Sequence, residues 1–155
     1  MPTIGESFAA QYARCWEMLR DVVNRTPEDR WRADDDPQLT PARWALHAVQ
    51  AVDAYRNTSL EEVDWTPRFC DWESGSPEEL PTREQLLAYL DEIASALDTR
   101  LRDMTDAEML APSPFHWTGA SYVEHWAYGL RHTHSHLGEL NMLLRLAGDD
   151  GGIWR

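Results

Sequence analysis

Apolar side chains recur at helical spacing in four long stretches, and nowhere do they alternate as a half-buried strand requires. Phe8, Tyr12, Cys15, Trp16, Leu19, Val22 and Val23 predict a first helix over roughly residues 4–24. Thr40 as N-cap and Pro41 at the first helical position open a second. It carries Trp44, His47, Ala48, Ala51 and Tyr55 to about residue 59. Thr82 followed three residues later by Gln85 is a capping-box pattern, and it leads into the stripe Leu86, Leu90, Ile93, Leu97, Leu101. Ser121 and Glu124 repeat that pattern ahead of a fourth helix, which runs to about Leu146 and stops at Gly148. Between the first two helices, the run Asp34 to Pro37 predicts a solvated loop.

Four such helices with no competing strand predict an all-α fold, a four-helix bundle with long connecting loops. Residues 1–155 are expected to form a single domain, large enough to bury a real core. Loops this long permit crossovers between helices and supply material for a lid over a pocket.

Charge narrows the function classes. The 14 basic residues, all Arg, face 27 acidic ones, for a net charge of −13. Nucleic acid and anionic membrane both demand basic patches, so neither is expected as a partner. No apolar run approaches the ~20 residues that cross a bilayer. The first residues lack the basic and apolar regions of a signal peptide, so a soluble cytoplasmic protein is expected. Cys15 sits on the apolar stripe of the first helix, and Cys70 in a loop is expected to be inert. Neither has a CxxC partner, which argues against a disulfide framework or a zinc-thiolate site. Eight Trp residues offer large amphipathic surfaces for core or pocket walls; Trp44, Trp117 and Trp126 are read as core.

The candidate chemistry lies in the fourth helix. His132 and His136 stand one turn apart on one face, where two imidazoles can hold a divalent ion from the same side. His47, in the apolar helical run Trp44 to Val49, is the best candidate for a third ligand. A competing reading makes the pair ordinary hydrogen-bonded core or surface residues. Glu139 shares the stripe. It either orients His132 or His136 through the ring nitrogen not bound to metal, or makes a plain surface contact. His125, two turns away, reads as outer support or packing. His116 reads as a loop residue at the edge of a pocket, and His134 points to solvent or a partner chain. HExxH, Glu-x-x-His, P-loop, dinucleotide and GxSxG patterns are all absent.

Two stretches resemble the DinB-like (DinB/YfiT) superfamily of metalloenzymes. Thr40 to His47, continuing through Asp53-Ala54-Tyr55, resembles that family's second helix with its single metal histidine. His132 to Leu140 resembles its last helix, where HxxxH is followed by Gly and commonly Gln. Glu139 departs from that pattern. The segment Pro77 to Thr82 also fits. The resemblance implies a metal bound by His47, His132 and His136, with water completing an open site, and it implies a homodimer. It also implies a low-molecular-weight thiol such as mycothiol or bacillithiol as a cofactor.

The function expected is a divalent-metal-dependent enzyme, a thiol-dependent transferase or isomerase whose partners are a small-molecule electrophile and a thiol. Three imidazoles suit zinc first, and also nickel or iron. No general base is identified from sequence. The rival from another class is a non-enzymatic metal- or ligand-binding stress-response protein, and a third reading is an all-α domain without metal.

Overall fold

The computed structural model describes residues 1–33 and 36–155. Among them the regular elements are helices, apart from one isolated antiparallel bridge between Pro112 and Ser121. The all-α expectation holds. The four long helices are α1 (Ile4–Arg25), α3 (Pro41–Tyr55), α4 (Arg83–Asp103) and α6 (Tyr122–Leu146). Two single-turn helices, α2 (Glu28–Trp31) and α5 (Asp106–Met109), and a 3₁₀ turn at Pro37–Leu39 lie in the connections. None of these three short elements was anticipated from periodicity, which needs more than one turn to register.

Local chemistry sets the helix starts. The Thr82 hydroxyl accepts from the Gln85 N–H while the Gln85 side chain accepts from the Thr82 N–H. Ser121 and Glu124 do the same for α6, and Thr3 and Glu6 for α1. Each box satisfies two of the N–H groups that a helix end leaves unpaired. Thr40 behaves differently from the expectation. It stands at the N-cap of α3, but its hydroxyl donates backwards to the carbonyls of Ala33 and Asp36 instead of accepting from the helix. Pro41, whose fixed backbone angle suits the first helical position, still starts the helix, and the Arg43 N–H donates to the Thr40 carbonyl at 3.1 Å.

The C-terminus of α3 also departs from the sequence reading, ending at Tyr55 rather than near residue 59. The Asn57 amide donates to the carbonyls of Asp53 and Ala54, satisfying the last turn and closing the helix there. The expected loop from 34 to 37 falls partly outside the described residues at Asp34 and Asp35. Asp36, its next member, accepts from the Gln38 N–H and starts the 3₁₀ turn.

Packing places α1 against α4 and α6, and α3 against α6 and α4. Their facing sides form one apolar cluster that includes Leu19, Val22, Leu46, Val49, Leu90, Ile93, Leu97 and Trp126. Burying one such Leu or Val side chain contributes roughly 1.5–3 kcal/mol. Trp31, carried by α2, is fully buried and donates its indole N–H to the Pro81 carbonyl, tying the first connection to the entry of α4. α3 and α6 run antiparallel. Trp44 meets His136 near one end of their contact, and Tyr55 meets His125 near the other. That pairing brings His47 opposite His132 and His136.

Candidate metal centre

His47 projects from the middle of α3, and His132 and His136 project from α6 towards it. The His132 Nε2 lies 3.2 Å from the His47 Nε2 and 3.2 Å from the His136 Nε2. One ligand atom from each of the three falls within 4.8 Å of the others, a spacing that one ion can bridge. Burial pushes the His47 imidazole down to about 3, helped by its neighbours His136 and His132. Burial pushes His132 down to about 4, with His136 acting the same way and Glu139 against it. Both rings are therefore neutral near pH 7 and carry a free lone pair.

Glu139 decides the tautomer of the third ring. Its carboxylate lies 2.6 Å from the His136 Nδ1. An ionised carboxylate only accepts, so Nδ1 carries the proton and donates. In the tautomer with its proton on Nδ1, the His136 ring turns a lone pair on Nε2 towards His132. A purely proton-mediated account of the cluster fails at this point. A proton on the His132 Nε2 can serve only one neighbour and leaves the other Nε2 without a partner in the cluster, whereas a proton on the His47 Nε2 leaves the His132 and His136 lone pairs facing each other. A cation accepting all three lone pairs satisfies the donor set, so these residues fit a divalent metal. The two α6 histidines differ in support. His136 is braced by Glu139, whereas the His132 Nδ1 is buried with no hydrogen-bond partner.

Two indoles back the rings. Trp72, from the segment between α3 and α4, lies with its ring centroid 4.0 Å from that of His47. Trp44 stacks on His136 at 5.3 Å and 17°. On the third ring, Tyr128 stacks against His132 at 6.3 Å. Trp44 and Trp72 also touch each other. The sequence assigns Trp44 to the core and leaves Trp72 among the eight Trp residues available for core or pocket walls, with no link to His47, because it arrives from a loop whose path has no periodic signature.

A cavity of about 840 Å³ opens on the His47 and His132 side, within the usual range for small-molecule sites. Trp72 and Trp117 contribute apolar wall, and Asp53, Arg56 and Tyr89 a polar one. The Tyr89 hydroxyl donates to Asp53 at 2.6 Å, and the Arg56 Nε donates to the other oxygen of the same carboxylate at 2.8 Å. That carboxylate is held in one orientation. Burial, followed by the bond to Asp53, drives the Tyr89 hydroxyl far above its ordinary value, so it stays a donor. A smaller cavity of about 270 Å³ between α1 and α4 contains no histidine or cysteine.

The remaining candidates separate cleanly. His125 does not join the cluster. Its Nε2–H donates to the Tyr55 carbonyl at 2.9 Å and its Nδ1 lies 3.0 Å from the Thr118 hydroxyl, so it ties the segment before α6 to the end of α3. His116 is exposed, touches Trp117 and does not line the large cavity. His134 is half-buried against Trp154 rather than free in solvent. Trp126 is core as expected, while Trp117 is 43% exposed at the cavity wall and is not. Cys15 is buried, and burial raises its thiol to about 12. Cys70 is buried in its loop with its thiol raised for the same reason first, which keeps both as weak nucleophiles.

A family model described as the DinB superfamily matches residues 11–140, a span that contains all three clustered histidines. The chain belongs to the DinB superfamily. No curated protein and no solved structure matches it. DinB-superfamily membership and the three-histidine group are each compatible with metal binding. Among the described residues of this DinB-superfamily chain, no helix is long and apolar enough to cross a membrane.

Proposed function

We propose that the chain, as one domain, is a divalent-metal-dependent enzyme with His47, His132 and His136 as its metal ligands and a low-molecular-weight thiol as its co-reactant. The observation that carries this reading is the convergence of three imidazole Nε2 atoms on one point beside a large cavity. Zinc is the expected ion, with nickel and iron suited to the same donors. When bound to these histidines, such an ion would supply uncompensated positive charge that favours the deprotonated form of a nearby thiol.

The protein's own groups do the rest. Glu139 holds the His136 ring and strengthens its lone pair. Trp72 and Trp117 limit water in the cavity. Asp53, held by Tyr89 and Arg56, presents a fixed acceptor for orienting a polar reactant. The reaction class is transfer of the thiol sulfur to an electrophilic carbon, or isomerisation by reversible addition of that sulfur. In transfer, a C–S bond forms, the leaving group departs with the electron pair of its bond, and the thiol proton goes to solvent.

The test is thiol consumption. Metal-loaded protein is mixed with a small thiol, mycothiol or bacillithiol included, and an activated aryl halide. The expected result is turnover that requires metal and disappears in His47→Ala. Turnover unchanged in metal-free His47→Ala contradicts the reading. Bound metal without thiol consumption overturns the enzymatic part and leaves a metal- or ligand-binding protein. The resemblance that suggests the thiol also suggests a homodimer, which sedimentation would show as twice the chain mass.

A further inference from the structure

Trp72 reaches His47 because a short, heavily tied stretch of chain carries it there. The buried Arg43 of α3 donates to the carbonyls of Trp72 at 3.1 Å and Glu73 at 3.3 Å. Gln50, two turns along the same helix, donates to the Cys70 carbonyl. Within the stretch, the Asp71 carboxylate accepts from the N–H groups of Glu73 and Ser74, and the Gly75 N–H donates to the Asp71 carbonyl at 2.8 Å. A side chain at Gly75 would put a carbon 2.5 Å from the Cys70 Sγ, so the turn closes this tightly only on glycine. Trp44 is tied as well, its indole N–H donating to the Gln38 carbonyl at 2.9 Å. The two indoles meet at 5.4 Å and each covers a different histidine of the cluster.

We propose that Trp72, with Trp44 behind it, is a positioning residue of the histidine site: it fixes the His47 ring for ligation and selectively stabilises the metal-bound state. The proposal rests on the three-histidine reading above. An imidazole that gives its lone pair to a dication takes on positive character, and a ring so charged is attracted to the face of an indole. The neutral ring gains less from the same contact. The difference between the two is binding affinity for the ion. The indole also displaces water that would compete for the ion and for the ring.

Metal affinity in competition with a chromophoric chelator is the first readout, and the visible spectrum of the cobalt(II) form is the second. Loss of a supporting group next to a metal ligand weakens binding by roughly 10- to 100-fold. Trp72→Leu keeps apolar bulk and removes the ring face, so about tenfold weaker binding and an altered cobalt spectrum are expected. Trp72→Phe keeps a ring and should stay within about threefold of wild type, because cation–ring attraction is retained though smaller. Thermal melting of the metal-free variants checks that each is folded. One equivalent of copper(II) should quench wild-type tryptophan fluorescence, and Trp72→Phe should lose part of that quenching. Wild-type affinity and spectrum in Trp72→Leu would overturn the role of the indole. Equal weakening by Leu and Phe would also overturn it. A wild-type protein that binds no ion overturns the histidine reading itself, which separates the two failures.

Discussion

Removing the Glu139 carboxylate should weaken the metal site by a calculable amount. The carboxylate accepts one 2.6 Å bond from the His136 Nδ1–H, a charge-assisted contact that fixes the ring and raises the basicity of the opposite nitrogen. Outer partners of this kind are worth roughly 10- to 100-fold in metal affinity, or about 1.4–2.7 kcal/mol. The Glu139 side chain is 45% exposed, so solvent screens it and the lower bound applies. Glu139→Ala is therefore expected to bind zinc about tenfold more weakly. Glu139→Gln keeps an acceptor but no charge. Neutral hydrogen bonds are about half as strong as charge-assisted ones, which leaves about 0.7 kcal/mol lost and about threefold weaker binding. Chelator competition at constant pH measures both, with helicity as the folding control. Affinity in Glu139→Ala equal to wild type would refute the argument, as would a Gln variant weaker than the Ala variant.

Three further outcomes follow from the packing. Burial pushes His125 down to about 4, against the opposing pull of the Tyr55 carbonyl, so this ring resists protonation when folded and accepts it when unfolded. Its folded pKa lies below its unfolded value of about 6.5. Stability is thus full above that value and declines as pH falls towards 4, by on the order of 3 kcal/mol at the limit. Denaturant titrations at pH 7 and pH 4.5 should show a smaller stability loss in His125→Gln than in wild type; equal losses would contradict this. Leu97→Ala opens a void in the fully buried stripe of α4 and should cost about 3 kcal/mol by chemical denaturation, whereas a loss under 1 kcal/mol would mean the core is looser than described. Gly129→Ala would place a carbon 2.4 Å from the Tyr12 hydroxyl, itself buried and donating to the Trp126 carbonyl. A lowered melting temperature is expected there, and a melting temperature at or above wild type would show that α1 can move away.

Much of the fold was legible because it is written in local chemistry. The capping boxes at Thr82 and Ser121 and the leucine stripe of α4 depend on residues three or four apart, and the chain placed them where expected. The three histidines were legible too, since HxxxH on one helix and a lone histidine on an apolar helix carry their own geometry. What stayed hidden depends on distant residues. The early end of α3 turns on one asparagine amide folding back on two carbonyls. Thr40 looks like a cap but spends its hydroxyl on the preceding turn. Trp72 and the Asp53–Tyr89–Arg56 cluster meet the site only through the path of a loop and the packing of α4, neither of which has a period to read.

The most direct test titrates metal-free protein with cobalt(II) or zinc and counts bound ions. One ion per chain in the wild type is expected, with binding lost in each of His47→Ala, His132→Ala and His136→Ala while all three remain helical. A wild type that takes up no ion, or alanine variants that hold it as tightly as the parent, would contradict the account.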